Sequence, residues 1–323
     1  MMRILIVTNM YPDATRPYNG IFVAEQVAAI KAYHPNVEFD VCYIDGAKGK
    51  KEYLKSIFYV NRRIRKKQYD LVHIHFGLSG LYLLSPFKSK VPTLVTFHGS
   101  DIQLAGGNGL LTVMISRFVA KKADACITLN NKMDTMVKAY NSNSFILPCA
   151  VNTKFFYPHK TQEKQCIIQV VFPCNHGMAV KDYPLFCKVL EILRIKYGVE
   201  CEERELAGLS RTQVADLFNH ADLLLMTSKS EGSPQAVKEA LACNLPVVST
   251  PVGDVENLLS GVKDCFVSQT RNEKELAHLV MKSLSHESDG MTGDDKIRVL
   301  QLDEKSIADK IYEIYEKSQN QRH

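Results

Sequence analysis

Residues 223–249 read LLLMTSKSEGSPQAVKEALACNLPVVS, and this stretch decides the fold. The apolar run at 223–227 is too short for an ordinary helix and apolar enough for a strand buried on both faces. A polar loop through Gly232 follows, then a helical pattern at 235–242, then a second buried run at 246–249. Strand, loop, helix and strand in that order make one unit of a parallel sheet with crossover helices. Ser233 suits the N-cap of the helix and Pro234 its first position. The N–H groups of Gly232, Ser233 and Gln235 then point out of a helix end with partial positive charge, which favours an anion.

Working outward, the same alternation fills the chain. Strands are predicted at 4–8, 37–43, 71–75, 93–97, 125–128 and 144–147, with helices such as 21–33 and 111–121 between them. These make a Rossmann-like N-terminal domain over 1–150. The segment 148–165, with Pro148, Pro158 and a run of Lys, Gln and Glu, reads as a linker. The pattern restarts with strands at 166–172, 223–227, 246–249 and 265–267 and helices at 183–197, 212–219, 235–242 and 273–284, giving a second Rossmann-like domain over 151–304. In the last element, 305–323, Ile307, Ile311, Ile314 and Tyr315 recur at helical spacing. The fold class is α/β, with two domains expected to face each other across a cleft.

The 323 residues suit two domains, and 46% hydrophobic with 23% charged residues excludes disordered and fibrous classes. A net charge of +5 is too mild to argue for nucleic acid. The nine cysteines form no Cys-x-x-Cys pair, and no apolar run reaches the length of a membrane span or a signal peptide, so a reduced cytoplasmic setting is expected. Between Lys48 and Lys67, nine basic residues stand against the single acidic Glu52. Leu54, Ile57, Phe58 and Ile64 fall near one helical face there. Such a segment suits anionic lipid headgroups, or else forms a solvated charged face at the periphery of the molecule.

Several residues could carry chemistry. Glu231 and Glu239 would flank the anion site, which fits the polar sugar, diphosphate and ribose of a nucleotide sugar. Lys181, in the stretch Asn175-His176-Gly177-Met178-Ala179-Val180-Lys181-Asp182, follows the first strand of the second half and is placed to neutralise phosphate. The stretch Thr96-Phe97-His98-Gly99-Ser100-Asp101 ends a strand of the first half, at the edge where open α/β sheets bind ligands. The loop after the first strand brings Asn19-Gly20-Ile21-Phe22, where Gly20 permits close approach to a ligand or a plain turn. His73 and His75 alternate on one strand face, but without a third ligand they suggest a structural or acceptor-side role rather than a metal.

The Glu231 to Glu239 segment resembles the Glu-x7-Glu signature of glycosyltransferase family 4, retaining enzymes of the GT-B fold, in its bacterial surface-polysaccharide type. The resemblance runs over nearly the whole chain. It implies a nucleotide-diphosphate sugar donor, UDP-linked in the first instance, and a saccharide or lipid-linked acceptor, with no metal and no cofactor. By that resemblance Glu231, His98 and Lys181 are catalytic, while Glu239, Gly232, Ser233, Pro234, Gly20 and Asp101 bind the donor. The final helix is expected to return to the first domain. Met178 stands where the family has Arg, and Asn19-Gly20 where it has two glycines. A rival reading is a degenerate GT-B protein that binds nucleotide or saccharide without turnover. A GT-B epimerase or phosphorylase finds no matching pattern.

Overall fold

The computed structural model describes residues 1–86, 90–104, 109–159 and 167–320, and side chains as far as residue 319. The chain divides into two compact units, Met1–Ala150 with Glu304–His323, and Val151–Asp303.

The first unit contains β1 (Met2–Thr8), α1 (Ile21–Tyr33), β2 (Val37–Tyr43), α2 (Lys51–Lys66), β3 (Leu71–His75), β4 (Thr93–Thr96), α3 (Leu110–Lys122), β5 (Ala125–Thr128), α4 (Asn131–Lys138) and β6 (Ser144–Ile146). All pairings in the sheet β2-β1-β3-β4-β5-β6 are parallel. Ile4, Leu5, Ile6 and Val7 are fully buried, as a central strand covered on both faces requires. A 3-10 segment, Gly77–Leu84, packs against both α2 and α3.

The second unit contains β7 (Ile168–Phe172), α5 (Tyr183–Tyr197), β8 (Cys201–Glu205), α6 (Arg211–His220), β9 (Leu223–Met226), α7 (Gln235–Ala242), β10 (Val247–Ser249), α8 (Val255–Leu259), β11 (Phe266–Val267), α9 (Glu273–Leu284) and α10 (Gly293–Val299). Its sheet, β11-β10-β9-β7-β8, is parallel as well. The central strands β7 and β9 are neighbours, so the loops leaving their carboxyl ends emerge side by side. The last helix, α11 (Glu304–Asn320), belongs to the first unit and packs on α1. There Tyr312 stacks on His34, with ring centres 4.1 Å apart, and Asp309 pairs with His34 at 2.9 Å.

Three expectations need correction. The edge strand β8, Cys-Glu-Glu-Arg-Glu, has no counterpart in the sequence reading, because only one of its faces is half-buried and its charges hide the alternation. The segment 148–159 is not a loose linker: Val151 bridges to Asp303 and Phe156 is buried, while 160–165 and Cys166 lie outside the described residues. On α2, Ile64 is buried whereas Leu54 and Phe58 are exposed. Six residues beyond Phe58 is about a third of a turn away from its face, so the apolar side chains divide between core and surface.

Candidate functional site

In the second unit the chemistry gathers where the β7 and β9 loops emerge. Lys181 closes a 3-10 turn, Ala179–Lys181, between β7 and α5. Its Nζ donates to Oε1 of Glu231, in the loop between β9 and α7, at 2.6 Å. Both side chains are largely buried, at 16% and 15% exposure, so the pair is shielded more than a surface ion pair. The two loops are also tied through backbone. Thr227 Oγ1 donates to the carbonyls of Lys181 at 2.9 Å and Asp182 at 3.2 Å, and Lys229 N–H donates to the Val180 carbonyl at 2.7 Å.

Arg271, one residue before the N-cap of α9, fastens the same loops. One guanidinium nitrogen donates to the carbonyls of Thr227 and Ser228, and another to the carboxylate of Asp182. The loop after β10 closes on the loop after β9: Gly253, at φ +58°, leaves no room for a Cβ, which would stand 2.6 Å from the Gly232 carbonyl oxygen. Asp254, next to it, is half-buried, and burial pushes its carboxyl above the usual range although Lys238 and Ser233 pull it down.

Glu239 lies on α7 with only 4% of its side chain exposed, and its Oε1 accepts from Arg211 Nη2 at 2.7 Å. Arg211 is the first residue of α6 and its guanidinium stands 4.6 Å from the centre of the Phe156 ring. Each carboxylate of the 231–239 pair is therefore held by its own cation. Ser233 does not cap α7. Pro234, with an extended ψ of 115°, takes the N-cap position instead, so the helix begins one residue later than the sequence suggests.

Met178 is exposed, and the neighbouring His176 is engaged by Glu203 and stacked on Tyr183 at 3.9 Å. The arginines of this region are Arg211 and Arg271, neither anticipated from the sequence. Ser210 and Gln213 form a capping box that places Arg211 in a first helical turn. With β8 unrecognised, nothing in the pattern showed that this turn sits at a sheet edge. Arg271 carries no local signal of its own.

In the first unit, His98 Nε2 meets His75 Nδ1 at 3.2 Å, and its ring stacks on His75 and tilts against Phe22. Asp101 is fully buried, and its carboxylate shapes the loop. Its carboxylate accepts from the N–H groups of Gly77 at 2.8 Å, His98 at 3.0 Å and Gly99 at 3.0 Å. Burial pushes its carboxyl up to about 6 even against those donors. His73 is bound by the hydroxyls of Tyr315 and Thr96, each at 2.7 Å, and burial lowers its imidazole to about 3. His75 is lowered too, by burial and then by His73 and His98. Gly20, at φ +65°, is required by packing: a Cβ would lie 2.4 Å from the Met10 carbonyl carbon.

Residues 6–155 match the pattern described as Glycosyltransferase Family 4, and residues 189–286 that described as Glycosyl transferases group 1. Both patterns describe glycosyltransferases, the first lying across most of the first unit and the second within the second unit. TuaC of Bacillus subtilis, named as a teichuronic acid biosynthesis glycosyltransferase, is 22% identical over 237 residues, which are 66% of this chain and 61% of TuaC. The match thus spans less than two thirds of that relative. Among solved structures, the sucrose-phosphate synthase of Thermosynechococcus elongatus superposes with a TM-score of 0.79 at 15% identity, over 98% of this chain and 99% of that one. HepE of Anabaena, in complex with UDP and glucose, gives 0.71 at 13% identity, over 98% and 100%. The fold is GT-B.

Proposed function

We propose that the protein is a retaining glycosyltransferase, which moves a sugar from a nucleotide diphosphate, UDP in the first instance, to a saccharide or lipid-linked acceptor in polysaccharide assembly. The observation that carries the reading is the pair of held carboxylates, Glu231 on Lys181 and Glu239 on Arg211. In the transfer, the bond between the anomeric carbon and the diphosphate oxygen breaks and a bond to the acceptor oxygen forms. The proton of the acceptor hydroxyl leaves with the diphosphate. Lys181 meets the charge that grows on the departing oxygen. Phosphate oxygens compete with Glu231 for Lys181, so donor binding turns Glu231 towards the sugar. Glu239, oriented by Arg211, accepts from the ribose hydroxyls. Gly232, Ser233 and Pro234 bring backbone close to the donor, and His98 is assigned to the sugar.

The basic, partly apolar surface of α2 supports work at the anionic inner face of a membrane, where a lipid-linked acceptor is found. Among the described residues, no helix is long and apolar enough to cross one.

Calorimetric titration with UDP, GDP and ADP tests the donor site. UDP should bind the parent selectively, and Glu239→Gln should weaken it about tenfold, ~1.5 kcal/mol. Equal affinities for the three nucleotides, or no effect of Glu239→Gln, would remove this reading. Binding without product from any UDP-sugar would instead favour the non-catalytic alternative, for which Met178 in place of an arginine is the specific support.

A further inference from the structure

On the first unit, α3 carries an apolar stripe that the described residues leave uncovered. Leu110, Leu111, Met114 and Phe118 recur at spacings of one, three and four residues, and they are 59%, 66%, 44% and 54% exposed. The opposite side of the helix, with Val113, Ser116, Val119 and Ala120, is buried. Single exposed apolar residues are ordinary, but a continuous stripe on one helix marks a contact surface. The same helix carries Arg117, Lys121 and Lys122 and no acidic residue.

α3 packs on the 3-10 segment Gly77–Leu84, and α2 packs on that segment too. Beside it, a groove of about 280 Å³ has Ile57 and Phe58 as its apolar wall and Arg62, Arg65 and Lys66 as its cations, with Ser85 at the end of the segment. Phe58 itself is 78% exposed. Arg63 does not join these cations, since it is turned to Asp40 at 3.7 Å and Tyr69 at 3.4 Å.

We propose that this flank is a membrane-docking surface, in which the α3 stripe inserts among acyl chains while Arg62 and Lys66 hold the phosphates of acidic lipids in the groove beside Phe58. The inference deepens the reading of α2 given above and rests on it. Charge chooses the occupant. A protein partner would need acidic residues set among its apolar ones, whereas a bilayer of acidic phospholipid offers phosphates directly above hydrocarbon over any width. Cations that flank a stripe of Leu, Met and Phe therefore match a lipid surface on both counts.

The chain has no tryptophan, so a single introduced one reports without interference. Phe118→Trp on α3 is compared with Ile195→Trp on α5, an exposed position of the second unit. Both are mixed with phosphatidylcholine–phosphatidylglycerol vesicles whose acyl chains are brominated. The tryptophan of Phe118→Trp should shift to the blue and be quenched, and that of Ile195→Trp should not. In vesicle sedimentation, Leu111→Ser and Phe118→Ser should each lower partitioning about tenfold, with UDP titration of the same variants unchanged as the check on folding.

If the parent sediments with the vesicles but neither tryptophan is quenched, the inserted stripe is overturned and the electrostatic reading of α2 stands. If the parent sediments with no vesicle, both fall, while the donor-site titration is unaffected. A lipid-free dimer that Phe118→Ser dissociates, without quenching, assigns the stripe to a second copy and overturns the proposal.

Discussion

In the second unit each carboxylate of the 231–239 pair is matched to a cation, Lys181 or Arg211, whereas in the first unit Asp101 is met by backbone N–H groups and His73 by hydroxyls. The two arrangements respond differently to a charged ligand. An ion pair that keeps some exposure can exchange one anion for another, carboxylate for phosphate, at little net cost in charge. A buried network of neutral imidazoles cannot take up charge without desolvation. The second unit thus holds its carboxylates with charged side chains, and the first frames His98 with uncharged ones.

The largest effect that would sharpen this contrast is kinetic. Lys181→Met should lower sugar transfer by about 10²–10³-fold, the range for losing one group that meets transition-state charge. The corresponding change in the first unit, Asp101→Asn, should act on stability, by about 1–3 kcal/mol, because it disturbs a buried acceptor. Steady-state rates and thermal melts of both variants decide it, and an undiminished rate for Lys181→Met would break the comparison.

The next effect is that of acid. Folding depresses His73 to about 3 from its usual 6.5 and depresses His75 as well. Their stabilisation is complete above 6.5 and is lost as pH falls from there towards 3. Asp101 acts in the opposite sense: with its carboxyl raised to about 6 from 3.8, its contribution is full below 3.8 and is lost as pH rises through 6. Two histidines outweigh one carboxyl, so the first unit should lose on the order of a few kcal/mol on acidification below 6.5. Hydrogen exchange at neutral and mildly acid pH should show β3 and β4 losing protection before β9 and β10. The reverse order would contradict the assignment of the buried network to the first unit's stability.

The smallest effect concerns backbone. Gly253→Ala should cost about 1–3 kcal/mol through its positive φ and the contact with the Gly232 carbonyl. It should also loosen nucleotide binding, since the same contact seats the Glu231 loop. A melt and a UDP titration of one variant measure both, and an unchanged titration would separate the loop's strain from the site.

Much of the architecture was legible because buried parallel strands read as apolar runs and their crossover helices as amphipathic ones. The exceptions share a cause. β8 lies at a sheet edge, where charged residues such as Glu202 and Arg204 can face water, so it lacks the signal its neighbours carry. Ile64 was assigned to the wrong side of α2 because four apolar residues do not by themselves say which of them the core takes. Glu231 and Lys181 stood out because they sit in strand-to-helix loops, and Glu239 because it lies on the helix that follows one of them. Arg211 and Arg271 did not, because each acts on residues far away in the chain.

By itself the amino-acid sequence determined the α/β alternation, the strand-loop-helix around Glu231 and Glu239, the concentration of positive charge at 48–67 and the helical character of the last element. These depend on the spacing of apolar and polar residues within single elements, which is a local property. Only the tertiary structure decided that Lys181 meets Glu231, that Arg211 meets Glu239, that Arg271 fastens two loops, and that Asp101 turns inward while the α3 stripe faces out. Those outcomes depend on which loops a parallel sheet brings to one edge and which helix faces find cover. Both are fixed by packing between residues tens to hundreds of positions apart.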